Sequence, residues 1–341
     1  RTVIRLQRRL RQKLEAPYLV NGQELRVETA WGIVYVLEAE TTAEEVLRRA
    51  SIALSHSKRQ TRRRVQVFRP SMHHEFIQHA ALEQDLAHAL GESGADGGPI
   101  DVYFQALVRP PLFTLWGFEA LARWNHPHHG FIPPGIFIPL AEKTGLIDPL
   151  GRLVLERACL HAAAWNTRKE IHISVNISAR QLLAPNLTEH VSEVLTASGL
   201  PPHLLTLEIT ESTLMTNPAQ ALAILHRLRQ LGVGIAIDDF GTGYSSLAYL
   251  HQLPATSLKI DRSFIASITH PPTQNLVRTI LSLAYSLDLQ VTAEGVESPE
   301  QAILLSKLQT HTLQGFVFAR PVPADQASEL LDADSLLRTT V

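Results

Sequence analysis

Cysteine occurs once in the chain, at Cys159. That rules out an intrachain disulfide and any zinc centre built on paired thiols, and it fits a reducing compartment. The apolar spacing around it, in LVLERACLHAAAW, is helical, so the thiol is expected to be a buried packing group and not a nucleophile. No run of about 18 apolar residues is present, and no transmembrane helix is predicted. Neither sign of charge dominates: 31 Lys and Arg stand against 33 Asp and Glu, a formal charge of −2. The basic runs (Arg5, Arg8, Arg9, Arg11 and Lys58, Arg59, Arg62, Arg63, Arg64) have no stacking aromatics interleaved. They read as solvated faces, and no DNA binding is expected.

What is present is enough apolar residue, 45% of 341, to bury a large core. The chain opens at Arg1 inside a helical pattern, VIRLQRRLRQKL, and is expected to belong to a longer protein. Any membrane anchor would lie upstream in that longer protein; the part read here is expected to be cytoplasmic. Residues 1–70 read as an α+β fragment, with a strand in LRVETAWGIVYVL and a Thr-capped helix in TTAEEVLRRASIALSHSKRQ. Residues 71–100 supply a connecting helix, MHHEFIQHAALEQDLAHALG, and a linker, ESGADGGPI.

From residue 101 to 336 the chain beats differently. Strand-like stretches at 101–108, 116–124, 171–178, 205–211, 232–239, 257–261, 290–297 and 312–319 mostly alternate with helical segments such as QALAILHRLRQLG. Eight such units suit a (β/α)8 barrel. Only residues 109–115 separate the first two strands, too few for a parallel crossover, so those two are predicted to pair antiparallel. The fold class is thus α/β: an irregular TIM-like barrel with an antiparallel first strand pair, plus the N-terminal α+β fragment.

In such a barrel chemistry sits at the carboxyl ends of the strands, and the interior is expected to be filled by apolar layers. Polar groups do cluster late in these strands: Asn176, Glu208, Asp238 with Asp239, Lys259 with Asp261, Glu294 with Glu297, and Gln314. Glu119 lies in the second strand. Singly, each acid reads as a helix cap or a surface partner. Together, converging acids repel unless cations bind among them. Their all-oxygen chemistry favours Mg2+ or Mn2+ over zinc. HPHHG (His126, His128, His129) and MHHE (His73, His74) lack a matched partner set, and no structural zinc is expected there. Asp238 and Asp239 are adjacent, and neighbouring side chains on a strand face opposite ways. Both can therefore serve one centre only where the strand ends. There they can hold or bridge two metals about 3.5–4 Å apart, as in-line attack on phosphodiesters uses.

FEALARW at 118–124, SVNIS at 174–178, LEITES at 207–212, IDDFGTGYSSL at 237–247, LKID at 258–261, AEGVE at 293–297 and LQGF at 313–316 resemble, in order and spacing, the EAL-domain cyclic di-GMP phosphodiesterases. The resemblance implies hydrolysis of cyclic di-GMP to linear pGpG with two Mg2+ or Mn2+ ions, inhibited by Ca2+, in a protein that is expected to form a homodimer through Leu247, Tyr249 and Leu250. It assigns Glu119, Asn176, Glu208 and Asp238 as metal ligands and Asp239 as the acid of the second metal. Lys259 matches the lysine near the reacting water, and Glu294 the general base or a further ligand. Glu211 and Glu297 match supporting acids, Glu211 steadying the loop after Asp239 and Glu297 on the substrate side. Gln105, Arg123 and Gln314 match substrate contacts. The chain departs from the family in Phe316, where QGY is frequent, and in Ala106, where a proline is frequent; neither is a ligand. Residues 1–70 resemble the second half of a GGDEF diguanylate cyclase domain, without its signature and with Ser51 and Ser55 where Asp and Tyr are usual, so no cyclase activity is expected; the resemblance implies an upstream sensory or cyclase-like domain in the full-length protein. The alternatives are an inert EAL domain that serves as a cyclic di-GMP receptor or interaction module and, more remotely, a barrel enzyme for another phosphorylated metabolite.

Overall fold

The computed structural model describes the chain apart from residues 1, 21–22, 26, 37–41, 60–64, 93–97, 242–249 and 338–341. Arg62, Arg63 and Arg64, part of the linker, and most of the loop after Asp239 therefore lie outside the described residues, as do Leu247 and Tyr249. The backbone divides into two units, residues 1–84 and 85–341.

In the first unit a helix, Thr2–Leu14, precedes an antiparallel pair, Tyr18–Val20 with Gln23–Leu25. A parallel pair follows, Trp31–Ile33 with Val65–Val67, joined through the helix Ala43–Arg59. The Thr42 hydroxyl caps that helix by accepting from the Glu45 amide at 3.3 Å, as the TTAEE pattern predicts. Ile52 and Ala53 are buried, and the Trp31 amide donates to Ser57 Oγ. A further helix spans Pro70–Glu92.

The second unit is an eight-stranded barrel. Its strands are β1 (Ile100–Arg109), β2 (Thr114–His126), β3 (His172–Asn176), β4 (Leu205–Thr210), β5 (Gly234–Phe240), β6 (Ser257–Ile260), β7 (Gln290–Ala293) and β8 (Thr312–Gln314). Successive strands from β2 to β8 pair in parallel. β1 is antiparallel to both its neighbours, β2 and β8, because the chain turns from β1 into β2 within residues 110–113 and has no length for a crossover helix. Helices Ile147–Trp165, Leu187–Ser198, Pro218–Gln230, Pro271–Ser286 and Pro299–Lys307 cover the outside. Local chemistry starts several of them: Ser298 with Gln301 forms a reciprocal cap, and Pro299 stands in the first turn where a missing N–H costs nothing. Among the described residues no helix is long and apolar enough to cross a membrane.

The strands bury their apolar residues outward, against the helices: Phe118, Ile173, Val175, Leu205, Leu207, Ile235, Ile237, Leu258, Val291 and Leu313 are all buried. Phe104 on β1 meets Phe118 and Trp165 edge-on, at 6.2 and 4.8 Å between centroids. The alternate positions face inward, and here the expectation of apolar interior layers is wrong. Below the site residues the inward set is small or polar: Ser174, Thr206, Ala236, Ser257, Thr292 and Thr312 line one cavity with Leu107. The period of two puts the large apolar side chains, Leu107 excepted, on the helix-facing surface, so the interior receives what remains. Leu250 is likewise buried within its own chain and offers no partner surface.

A register shift between Leu107 and Val108 on β1 leaves Trp116 as an extra residue on β2, a bulge that re-aims its ring toward the foot of the barrel. There Trp116 stacks on His172 at 4.2 Å and 19°, with the Arg109 guanidinium 5.0 Å from its ring centroid. Burial, reinforced by Arg109, pushes His172 down to about 4. The folded chain thus keeps this imidazole neutral while the unfolded chain protonates it near 6.5. Between those values the unfolded state binds more protons, so stability falls as pH drops from about 6.5 toward 4. His172→Gln should flatten that part of the profile; urea midpoints at pH 7.5 and 5 that shift equally in both proteins would show the imidazole is not its source.

Candidate active site

Every strand delivers one polar side chain to the same end of the barrel. Gln105 comes from β1, Glu119 from β2, Asn176 from β3, Glu208 from β4, Asp238 from β5, Lys259 from β6 and Gln314 from β8; Glu294 follows β7 by one residue. Their centre is the Lys259 ammonium, 3% exposed as a side chain. Nζ lies 2.5 Å from Glu208 Oε2, 2.5 Å from Glu294 Oε1, 3.6 Å from Glu119 Oε2 and 3.7 Å from Asp238 Oδ1. Neutral amides complete the arrangement. Asn176 Nδ2 donates to Glu119 Oε1 at 2.7 Å, and Gln314 Nε2 donates to Glu119 Oε2 at 2.6 Å and to Gln105 Oε1 at 3.0 Å. Gln314 can reach both because β8 ends at once in Gly315. A Cβ there would stand 1.9 Å from the Val296 carbonyl oxygen, so only glycine lets the two segments meet.

The groups titrate according to what surrounds them. Burial opposes the Lys259 charge, but Glu119, Glu208 and Glu294 outweigh it and raise the ammonium well above its ordinary value. Burial likewise works against ionised Glu119, yet Lys259 and the bonds from Gln314 and Asn176 prevail and hold it low. Glu208 goes the other way: burial, with the neighbouring carboxylates, lifts it well above the usual range despite Lys259. Burial raises Glu294 to about 7.

Asp238 and Asp239 stay adjacent without the strand ending between them. β5 continues to Phe240, and Asp239 takes a left-handed backbone, φ +55°, at a register shift in the pairing with β6. Aspartate tolerates this conformation better than most residues. Here the Asp239 amide donates to Asp238 Oδ1 at 2.8 Å. The bend the sequence demanded is thus made inside the strand. Burial and then Asp238 raise the Asp239 carboxyl.

Glu211 opens the short helix Glu211–Thr216 rather than closing β4, and Thr210 caps that helix. It is 3% exposed, and its Oε2 accepts from the Gly241 amide at 3.4 Å. Gly241, at φ +93°, starts the loop after Asp239. Arg123 is half-buried, 5.5 Å from the Tyr103 ring centroid, and donates to the Ala122 carbonyl at 2.9 Å. With Asn176, Thr210, Ile138 and Val154 it lines a cavity of about 560 Å3 beside the cluster. Two predicted residues are not drawn in. Glu297 is exposed on the loop before helix Pro299–Lys307, its amide donating to Gln301 Oε1, and Asp261 caps the short helix after β6. Tyr103, which the sequence reading missed, lies two residues before Gln105 on the same face of β1, and the strand period alone would have found it.

Among the described residues, no three of His, Cys, Asp and Glu stand in ready metal-binding geometry; the acids close on Lys259 instead. The donor set nonetheless fits a hard divalent cation. Four carboxylates share one ammonium, and Gln314 Oε1 is buried without a partner. Asn176 spends its Nδ2 on Glu119, which leaves its carbonyl oxygen as the atom that would serve as a ligand. His126, by contrast, is not a ligand: its Nδ1 accepts from the His128 and His129 amides and its Nε2 pairs with Asp85.

Residues 83–321 match the EAL domain family. The chain is 40% identical over 324 residues to the bifunctional diguanylate cyclase/cyclic di-GMP phosphodiesterase MucR of Pseudomonas aeruginosa, covering 94% of this chain and 47% of the relative. It is 37% identical over 336 residues to the cyclic di-GMP phosphodiesterase NbdA of the same organism, covering 96% and 42%. The chain therefore spans less than half the length of these relatives. A solved structure described as the PaMucR phosphodiesterase in complex with c-di-GMP superposes with a TM-score of 0.68 at 44% identity, covering 72% of this chain and 99% of that one.

If Lys259 holds these carboxylates together, Lys259→Met should cost about 3–5 kcal/mol in chelator, the scale for removing one partner of a buried ion cluster. Added Mg2+ or Mn2+ should return part of that loss. A melting temperature in EDTA equal to the parent's would mean the acids need no cation.

Proposed function

This chain belongs to the EAL domain family, and from that premise we propose that it hydrolyses cyclic di-GMP to linear pGpG in bacterial second-messenger signalling. The observation that carries the reading is the surplus of buried carboxylates over the single ammonium at the barrel mouth, next to Arg123 and a cavity of about 560 Å3. A site with too many acids suits a reaction run on a phosphodiester through divalent ions, and suits poorly one on a neutral substrate.

Glu119, Asn176, Glu208 and Asp238 would hold one Mg2+ or Mn2+, and Asp239 a second. Such ions, when bound, neutralise charge at the phosphorus and make water a nucleophile near neutral pH. This chain's residues do the rest. Glu294, at the edge of the cluster, takes the proton from the attacking water as its oxygen bonds to phosphorus. The P–O bond to the ribose breaks, and the departing oxygen takes up a proton to become the free hydroxyl of pGpG. Lys259 keeps the carboxylates in place and adds a positive charge beside the phosphate. Arg123 presents a forked donor to phosphate oxygens, and Gln105 with Gln314 fixes the Glu119 carboxylate. Ca2+, with its looser and larger coordination, should bind and inhibit.

Incubation with cyclic di-GMP and Mg2+ or Mn2+, followed by chromatography, should show pGpG; EDTA should abolish it and Ca2+ should support little. Undiminished turnover in EDTA would overturn the metal mechanism. A finer test is Glu211→Ala. Since Glu211 touches the first amide of the loop after Asp239 and none of the cluster, its loss should lower turnover by about tenfold or more while substrate affinity changes far less, the range for a residue that orients a ligand. Parent-like turnover in this variant would reduce Glu211 to a packing acid.

A further inference from the structure

Barrels of this class are ordinarily plugged by layers of bulky branched side chains. This one is not. Beneath the catalytic end lies a cavity of about 290 Å3 to which all eight strands contribute, from Lys259 and Glu208 at its ceiling to Arg109, His203 and Gln290 at its outer end. The last three are exposed at the foot of the barrel.

The walls are made to hold water. Ser174, Thr206, Ser257, Thr292 and Thr312 all turn toward this space, and Ser174, Thr292 and Thr312 are buried. Among the described residues none of these five hydroxyls bonds to a protein atom, and none is among the buried groups sealed from solvent without a partner. Thr256, by contrast, exchanges hydrogen bonds with the Ile235 backbone. Five polar groups left unpaired in a dry interior would each carry a desolvation cost; water removes it, and the volume has room for several molecules. An apolar cavity of this size would stay empty, whereas this one has the partners that ordered water needs.

We propose that the barrel interior is a water-filled shaft, open at the foot, that supplies solvent to the Lys259–Glu208 pair while a ligand covers the mouth, and that Ser174, Thr206, Ser257, Thr292 and Thr312 hold its water. The kinetic half of this inference rests on the hydrolase reading above. Each turnover consumes one water, and in this reading the foot delivers it when a dinucleotide lies across the mouth.

The test pairs hydration with turnover. Oxygen-17 water relaxation of the parent should report long-lived internal waters, and the isosteric triple variant Thr206→Val, Thr292→Val, Thr312→Val should lose them. With cyclic di-GMP, that variant should show kcat lower by about three- to tenfold, the worth of roughly one hydrogen bond, with KM and Mg2+ affinity unchanged. The Thr→Ser counterpart at the same positions should restore both waters and kcat, which a packing role would not do; Thr292→Val alone serves if the triple variant does not fold. A parent without long-lived waters would overturn the shaft. A variant that loses its water and keeps its kcat would overturn the supply role. Absence of pGpG from the parent would instead overturn the hydrolase reading, and the relaxation measurement would still decide whether the shaft is wet.

Discussion

A buried ammonium surrounded by carboxylates sets the terms for everything at the mouth of this barrel. Lys259 on β6 reaches groups on β2, β4 and β5 and one residue past β7, so a single side chain ties its own neighbours to strands across the barrel. Two like charges about 4 Å apart repel by roughly 4 kcal/mol at an effective dielectric constant of 20. Four such acids without a cation would protonate or push the strand ends apart. One ammonium offsets part of that repulsion; burial first, and the neighbouring acids after it, keep the Glu208 and Glu294 carboxyls raised despite Lys259. The remaining imbalance is what makes the site receptive to further positive charge.

That arrangement depends on a division of labour along each strand. Outward positions carry Val, Ile, Leu and Phe against the helices, and inward positions carry acids, amides and hydroxyls. Stability comes from the shell between sheet and helices and chemistry from the lumen. The two can therefore vary with little mutual cost, except where a residue such as Gly315 must satisfy both.

Much of this was legible in the residues. The short RPPLFTL connection announced the antiparallel start, and late-strand polar groups from Asn176 to Glu294 marked the mouth, because strand ends are where polar groups do not disturb packing. The rest needed three dimensions. Hydrophobic strands in an α/β sequence look buried on both faces, so the polar lumen hid behind the apolar outward residues. The left-handed backbone at Asp239 has no signature of its own beside the glycines that follow. Glu297 is close in sequence to Glu294, yet the chain leaves β7 at Ala293 and carries it out to the surface. Lys259 was legible as a site residue, but not as the hub, since its partners come from four separate parts of the chain.

The closure of the barrel carries a consequence for how the chain reaches this state. β1 is paired on one side by the strand that follows it directly and on the other by β8, near the end of the fold; Gln105 and Gln314, bonded to each other, stand 209 residues apart. During vectorial synthesis β1 therefore emerges from the ribosome long before its second partner exists, with one row of backbone donors and acceptors unpaired. Closing so long a loop carries an entropic cost that local contacts cannot repay early, which favours slow, late assembly. The hairpin of β1 and β2 can form alone and wait, and the last strand acts as the latch that turns an open, sticky sheet into a barrel without edges.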